Sequence, residues 1–331
     1  MKTYNSIIIG SGLGGLTAGA LLALWGKKVL VLEQHYIAGG CATAFKRKDF
    51  LMEVGLHEID GLHDQDFKRP IMELLGLFKG VEFLKIPELY HIRKGDFSYV
   101  LSEGKQAKEQ LKRDFPKEEK NINEFFITIE KLYKEMHQMP RSKWFRRLIH
   151  PLMPLLYPAI ASTSRITAGE WLDKHFKDER LKTILTANMC YYADDPFNLS
   201  LMYFLVAQGS YLNGGGHFVK GGSQNLSNYL VHFIEQHGGQ VLTGKYAKEI
   251  LIENNRAIGV AYQDTFNRTI PMVKVYADTV IANAAQPNVA QMLPEPQCRA
   301  LQKRIGKLRP ACSLLSVYLG FNIDLRELGV T

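Results

Sequence analysis

The feature that most constrains this chain is an uncharged stretch near its start, YNSIIIGSGLGGLTAGALLALWG, residues 4–26. A helix of this length could cross a bilayer, and the preceding Lys2 resembles the positive start of a signal peptide. The internal order of the stretch favours another structure. A short β-branched run ends at a glycine cluster, and apolar residues then recur at helical spacing up to Gly26. This order predicts a strand, a turn and a helix rather than a membrane anchor.

A second apolar strand, Val29–Leu32, completes a β-α-β unit of about 30 residues. Glycines at the turn permit a tight bend, a close approach of the backbone to a pyrophosphate, and packing of helix on strand. The first helical residues, Leu13 and Gly14, would direct free N–H groups at the phosphates. The glycines that match the GxGxxG spacing are Gly10, Gly12 and Gly15.

A carboxylate follows the second strand. Glu33 ends it, with Gln34 beside it, and a carboxylate at this position can accept hydrogen bonds from a ribose 2′-hydroxyl. The same charge disfavours a 2′-phosphate. Strand, glycines, helix, strand and acid therefore occur in the order that predicts a dinucleotide-binding unit.

The next stretch, QHYIAGGCATAFKRKDFLMEVGLHEIDGLH, does not continue with further β-α units as a plain NAD-dependent dehydrogenase would. It places Gly39 and Gly40 after the acid, and Phe50 before Gly55 and His57. The layout resembles the flavin oxidoreductase superfamily of phytoene desaturases, carotenoid isomerases and retinol saturases. That resemblance implies FAD as the cofactor and a place near the flavin for His57.

A later stretch, HFVKGGSQNLSNYL, extends the resemblance. It predicts a strand, a turn at Gly221 and Gly222, and a helix with Ser223 as its N-cap. Several strands then follow. The resemblance implies that this turn approaches the flavin ring, that the backbone near Ala247 contacts the adenine, and that Asn283 lies near the cofactor.

The resemblance also implies the domain organisation. We expect an α/β fold, in which a Rossmann-like FAD-binding domain with a doubly wound sheet carries an inserted, mostly helical substrate domain. Members of the superfamily commonly have Arg directly after the double glycine. This chain has Cys41 there, a departure that resembles the retinol saturase branch. The C-terminal flavin-binding motif of the family has no counterpart, so we expect a truncated chain. The expected segments are 1–70 and 216–288 for the FAD-binding domain, 71–215 for the substrate domain, and 289–331 for an incomplete returning segment.

Residues 141–161, RSKWFRRLIHPLMPLLYPAIA, combine cations and aromatic residues with an apolar run that three prolines interrupt. One continuous helix is excluded. The pattern suits a surface element that dips into anionic headgroups, and the alternative is a core loop or the wall of a substrate tunnel.

Widely spaced cysteines without a CxxC pair are typical of reduced thiols in a cytoplasmic protein. We expect a cytoplasmic location, with peripheral membrane association as an option. The cysteines are Cys41, Cys190, Cys298 and Cys312.

Composition adds little. The 41 Lys and Arg against 33 Asp and Glu give a formal charge of +8, which alone does not indicate nucleic-acid binding. The histidines and carboxylates of EVGLHEIDGLHD do not match HExxH, so no metal is expected. GxSxG and P-loop motifs are also absent from the sequence.

These observations lead to one function and two alternatives. The first is an FAD-dependent oxidoreductase that desaturates, saturates or isomerises a carotenoid- or retinoid-like polyene, with NAD(P) as a candidate electron partner. A polyene offers no handle for acid or base chemistry, and the sequence assigns no catalytic side chain. The alternatives are a flavin amine oxidase and an inactive nucleotide-binding module. The oligomeric state is not predicted.

Overall fold

A computed structural model describes residues 4–140, 142–308 and 313–329. The strands are β1 Tyr4–Ile9, β2 Val29–Leu32, β3 Ala44–Arg47, β4 Phe50–Glu53, β5 Ile59–Asp60, β6 Phe83–Lys85, β7 Glu88–Lys94, β8 Phe97–Ser102, β9 Gly216–Val219, β10 Gln240–Leu242, β11 Lys245–Glu253, β12 Arg256–Asp264 and β13 Val273–Ala282. Within the described residues, strands occur before and after a long helical stretch that lies between β8 and β9.

The helices concentrate between the first strands and β9. They are α1 Leu13–Leu24, α2 Arg69–Leu74, α3 Leu77–Gly80, α4 Gly104–Asp114, α5 Glu119–Gln138, α6 Lys143–Ile149, α7 Met153–Leu156, α8 Pro158–Thr163, α9 Ala168–His175, α10 Glu179–Thr186, α11 Leu201–Gly214, α12 Ser223–Gln236, α13 Gln286–Met292 and α14 Gln297–Ile305, with 3₁₀ turns at Pro116–Glu118, His150–Leu152, Met189–Tyr191 and Leu325–Leu328.

The main sheet has the strand order β10-β2-β1-β13-β12-β11. The strands β10, β2, β1 and β13 run parallel, whereas β12 lies antiparallel to both β13 and β11. The long strand β13 serves both parts, because Tyr276 pairs with β12 and Ala277 pairs with β1. The α/β, Rossmann-like fold predicted from the sequence is thereby confirmed.

The two faces of the parallel strands are covered differently. Ile8 and Val31 pack against α1 and α12, whereas the alternate residues Ile7 and Leu32 pack against a cluster that includes Val260 of β12. The strand VLVL of β2 is buried on both faces, which explains its unbroken apolar run. The expected doubly wound sheet therefore has helices on one face, and on the other face strands with the short helix α13.

The helical region has its own core, centred on α5 and α11. Phe125, Phe176 and Phe204 are fully buried there. The stretch around α4 is charged on nearly every face, which is typical of a solvated helix and linker, and this prediction is wrong for one face of the helix. Ala107 and Leu111, four residues apart, are fully buried because they share the one face of α4 that meets the core.

The proline-rich segment after α5 forms α6, a 3₁₀ turn, α7 and α8 in succession. Pro151, Pro154 and Pro158 each lie in the first turn of a new piece, where the missing N–H costs least. One continuous helix is thus excluded, as predicted. Within the described residues, no helix is both long and apolar enough to cross a membrane.

Candidate functional site

The first part of the candidate site is the turn between β1 and α1. Gly10 has a φ of +95°, and a Cβ atom on it would lie 2.4 Å from the backbone oxygen of Asn283. A Cβ atom on Gly15 would lie 2.1 Å from the backbone oxygen of Gly10. Packing within the chain therefore requires glycine at both positions.

Gly12 differs from these two glycines. Its φ of −60° and ψ of 166° are accessible to any residue. Among the described atoms, a Cβ here would meet only Nδ2 of Asn283, at 3.3 Å. Packing within the chain does not require glycine at this position, whereas a group bound against the backbone would require it. The turn thus fits the close approach of a pyrophosphate.

The start of α1 has free N–H groups and the partial positive charge of a helix N-terminus, which a pyrophosphate would need. Gly12 is its N-cap and offers no side-chain acceptor, and the first turn, which includes Leu13 and Gly14, contains no acidic residue. Within the described chain, these first N–H groups are therefore not capped by a side chain. They are available to an anionic phosphate at the positive end of the helix dipole.

Glu33 is buried at the carboxyl end of β2 and fixes the turn. One carboxylate oxygen accepts hydrogen bonds from Ser11 N at 2.8 Å and Ser11 Oγ at 2.7 Å, and the other accepts one from His35 N at 2.8 Å. A carboxylate has about four lone-pair directions, so roughly one remains for a ribose hydroxyl. Gln34 lies exposed beside Glu33.

The Gly39–Gly40 turn lies directly against the glycine turn. Gly39 N donates to Ser11 Oγ at 3.3 Å, and Gly39 forms a parallel β-bridge with Gly12. A Cβ on Gly40 would lie 3.0 Å from Cα of Gly12. Asn283 completes the arrangement from the end of β13, because its N–H donates to the last carbonyl of β1 at 2.8 Å. The carboxyl ends of three parallel strands meet here, where α/β proteins bind ligands.

The backbone that leads to Ala247 runs along Glu33. Lys245 N donates to the Glu33 carbonyl at 2.7 Å, and Gly244 N donates to the His35 carbonyl at 2.8 Å. Ala247 itself is buried in β11 next to a β-bulge. The structure thus places the predicted adenine-contacting segment beside the predicted ribose-binding carboxylate.

The second glycine turn joins β9 to α12. Gly221 and Gly222 both have positive φ, and Gly222, not Ser223, is the N-cap of α12. The predicted N-cap is wrong by one residue, because a carboxylate from another strand supplies the missing acceptor. Glu53 accepts from Ser223 N at 2.7 Å and from Ser223 Oγ at 2.5 Å.

Helix α12 connects this turn to the first one. Gln224 Nε2 donates to the Ala38 carbonyl at 3.0 Å, and Ser227 Oγ donates to the Ala42 carbonyl at 2.7 Å. The loop that contains Gly39 and Gly40 is therefore held from both ends by one helix. The two glycine turns belong to one hydrogen-bonded assembly.

Sequence reasoning misses two side chains that hold this assembly. Ser11 is fully buried, and its only signal is a hydroxyl in an apolar stretch. Glu53 attracts attention only as a metal-ligand candidate, although its role here is to cap α12. Among the described residues, no group of three or more His, Cys, Asp or Glu side chains could hold a metal ion.

His57 lines a separate cavity together with Glu53, and Gly55 lies between them in the sequence. The cavity has a volume of about 650 Å³, and its wall is mostly apolar. His57 Nδ1 lies 3.4 Å from the hydroxyl oxygen of Tyr191, and burial raises the pKa of that phenol above its usual value. A Cβ on Gly55 would lie 3.2 Å from Cβ of Cys41, which joins this edge to the Gly39–Gly40 turn. The lining residues are Phe50, Leu51, Met52, Glu53, His57, Cys190, Tyr191, Leu314, Leu315, Ser316, Val317, Tyr318 and Leu319.

The relatives of this chain among curated proteins are named for retinoids and carotenes. An inactive all-trans-retinol 13,14-reductase of Danio rerio is 30% identical over 98% of this chain and 55% of its own length. An all-trans-retinol 13,14-reductase of the same organism is 30% identical over 99% of this chain and 56% of its own length. A 4,4′-diapophytoene desaturase of Staphylococcus haemolyticus is 24% identical over 97% of this chain and 64% of its own length. The chain spans about half the length of the two retinol reductases.

Solved structures support the fold. An oxidoreductase from Methanosarcina mazei has a TM-score of 0.60 at 21% identity, and the match covers 92% of this chain and 66% of the oxidoreductase chain. A putrescine oxidase bound to putrescine has a TM-score of 0.59 at 15% identity, and covers 90% of this chain and 63% of its own. At these identities the likeness concerns the fold alone.

A family model settles the membership. The model described as flavin containing amine oxidoreductase matches residues 13–324, which is most of the chain. This family implies FAD, and the open backbone at Gly12, the N–H groups at the start of α1 and the carboxylate of Glu33 fit its pyrophosphate and ribose. The chain belongs to the flavin containing amine oxidoreductase family.

Proposed function

We propose that this protein is an FAD-dependent oxidoreductase that acts on a carotenoid- or retinoid-like polyene lipid. The observation that carries the proposal is that curated relatives named for retinol, prolycopene and diapophytoene match 96% or more of the chain. All three names denote apolar molecules with conjugated double bonds. The mostly apolar cavity beside Glu53 suits a substrate of this class.

The cofactor site of this proposal consists of the residues predicted from the sequence. The turn Gly10–Gly15 and the start of α1 would hold the pyrophosphate, and Glu33 would accept a ribose hydroxyl. The segment near Ala247 would border the adenine, with Asn283 at the mouth of the site. Bound FAD would supply hydride chemistry, and the protein would orient both partners and exclude water.

The second turn has a different place in the proposal. Gly221, Gly222 and Ser223 would lie toward the flavin ring, where Glu53 fixes the start of α12. Gly55 and His57 would lie where the cofactor site meets the cavity. Since Tyr191 keeps its proton at neutral pH, a hydrogen-bond donor faces His57 in a mostly apolar space.

We propose the same domain division as the sequence analysis, with residues 1–70 and 216–288 around FAD and residues 71–215 around the substrate. NAD(P) is our proposal for the electron partner. We also propose a cytoplasmic location at a membrane surface, because this location suits an apolar substrate.

The test is an anaerobic spectrum of the FAD-loaded chain. Chemically reduced flavin should be reoxidised by all-trans-retinol or a carotene, with a matching change in the polyene chromatogram. Reduction of the oxidised flavin by a primary amine such as putrescine, without any reaction with polyenes, would instead favour an amine oxidase. NADH and NADPH are then added separately to the oxidised form, and reduction by either identifies the electron partner.

A further inference from the structure

The Lys143–Leu156 surface, formed by α6, the following 3₁₀ turn and α7, exposes an unusual set of large apolar side chains. Trp144 is 72% exposed and Leu155 is 79% exposed. Single exposed apolar residues need no explanation, but a contiguous group in one short segment does. The exposed members are Trp144, Phe145, Leu148, Leu152, Leu155 and Leu156.

The segment is anchored from its other side. Ile149 is buried, and Met153 and Tyr157 pack against the helical core. The first turn of α8 is fixed by Glu135, whose two carboxylate oxygens accept hydrogen bonds from the N–H groups of residues 159 and 160 at 3.0 and 2.9 Å. The outward orientation of the apolar side chains is therefore set by packing.

A cationic stripe lies next to the apolar residues. Lys143, Arg146 and Arg147 lie at spacings of three and four, which places them on one face of α6, and His150 follows as the C-cap residue. Together with Pro151 they line a shallow cavity of about 580 Å³. Within the described residues, none of these cations forms an ion pair. No Asp or Glu occurs between positions 135 and 170 of the sequence, so nothing local cancels the charge.

We propose that the Lys143–Leu156 surface docks on an anionic phospholipid bilayer. The cations would meet the lipid phosphates, and the tryptophan, phenylalanine and leucines would enter the boundary between headgroups and acyl chains. A polyanion such as nucleic acid would use the charges and leave the leucines in water. The inference deepens the membrane-surface location given under the proposed function, and its test requires neither flavin nor turnover.

The experiment is flotation of the whole chain with vesicles of phosphatidylcholine alone and of phosphatidylcholine with phosphatidylserine. We expect binding to the anionic vesicles, weakened by salt, and at least roughly tenfold less binding to the neutral ones. The emission of Trp144 should shift to the blue on binding. Absence of binding to anionic vesicles by the folded protein would overturn the proposal, whatever the outcome of the flavin and polyene assays.

Two matched pairs of variants localise the contact. Arg146→Glu with Arg147→Glu should reduce binding to anionic vesicles at least roughly tenfold, whereas Lys117→Glu with Lys120→Glu changes the net charge equally and should not. Equal losses in both pairs would mean attraction by net charge alone and would overturn the assignment.

The apolar side chains are tested separately. Trp144→Ala with Leu155→Ala should also weaken binding, whereas Trp25→Ala, at an exposed tryptophan on the FAD-binding side, should not. Undiminished binding by the first variant would overturn insertion and point to a soluble polyanion. The parent chain could instead form a dimer in size-exclusion chromatography and not bind vesicles. If Trp144→Ala with Leu155→Ala abolished that dimer, the face would be assigned to a second copy of the chain. Circular dichroism confirms that every variant is folded.

Discussion

Ser11 is the residue on which the candidate cofactor site depends most directly. Its hydroxyl donates to the buried carboxylate of Glu33 and accepts from Gly39, so it connects the glycine turn, the acid and the second loop. The sequence pattern predicts Glu33 and Gly39 as site residues but treats Ser11 as a variable position of GxGxxG. The spacing of the pattern specifies the glycines and says nothing of the polar contacts between them.

We predict that Ser11→Ala lowers the free energy of unfolding by about 1.5 to 3 kcal/mol, the usual cost of removing a buried hydrogen bond to a charged group. Urea unfolding measures the change. Ser164→Ala is the control, since Ser164 is exposed and bonds only within its own helix turn. An effect no larger than that of the control would show that Glu33 does not need this donor.

Two glycines of the motif, Gly12 and Gly15, differ in what they contribute to stability. Gly15→Ala should destabilise the fold, because its new Cβ would lie 2.1 Å from the backbone oxygen of Gly10. Gly12→Ala should cost much less, about 1 kcal/mol or less, because only the side chain of Asn283 must move and alanine is the poorer N-cap. Thermal unfolding of the two variants distinguishes them, and a similar loss in both would contradict the separate roles that we assign.

At the scale of elements, α12 depends on a carboxylate that lies far away in sequence. Glu53 accepts hydrogen bonds from Ser223 N and Oγ at the start of the helix, where the N-cap Gly222 has no side chain to do so. Local sequence therefore predicts the helix and its position, but the identity of its cap follows only from tertiary structure. The same reason explains the error at α4, where the buried face is narrow and most of the surrounding residues are charged.

We expect Glu53→Ala to lower the free energy of unfolding by about 1 to 3 kcal/mol, because it removes two hydrogen bonds to an anion at a helix N-terminus. Chemical denaturation measures this. Glu235→Ala is the matched control, since it removes an exposed carboxylate from the other end of the same helix. If both variants lose the same stability, Glu53 is not the cap of α12.

Two histidines next to the sheet β5-β9-β6 give the fold a dependence on pH. Burial lowers the pKa of His63 and of His217, in the second case with help from the nearby Lys85 ammonium. The unfolded chain therefore binds protons on these imidazoles at a higher pH than the folded chain does. Stability is fully present above about pH 6.5, the ordinary histidine value, and falls as the pH drops below it.

The measurement is the unfolding free energy as a function of pH between neutral and mildly acidic solution. His63→Gln with His217→Gln should flatten the decline, whereas His237→Gln, an exposed histidine in the last turn of α12, should not. A decline of unchanged steepness in the double variant would contradict the assignment.

For the whole molecule, the sequence predicts the cofactor-binding half better than the rest. The predicted bounds of the β-α-β unit match the observed ones at β2 and lie close to them elsewhere, because its glycines and apolar runs act locally. The parallel sheet brings Gly10, Glu33 and Asn283 together although 273 residues separate the first from the last. That meeting is predicted only through the resemblance, since single-sequence patterns carry no register between distant strands. The mixed covering of the sheet and the cavity at His57 follow from packing alone.

We assign the FAD site to these converging strand ends. Titration of the purified chain with FAD, followed by flavin fluorescence and by the visible absorbance retained after desalting, tests this assignment most directly. We predict that the parent chain binds FAD and that the folded Gly12→Ala variant binds at least about tenfold more weakly, because its Cβ occupies the space of the pyrophosphate. Undiminished binding by this variant, or no binding by the folded parent chain, would contradict the assignment.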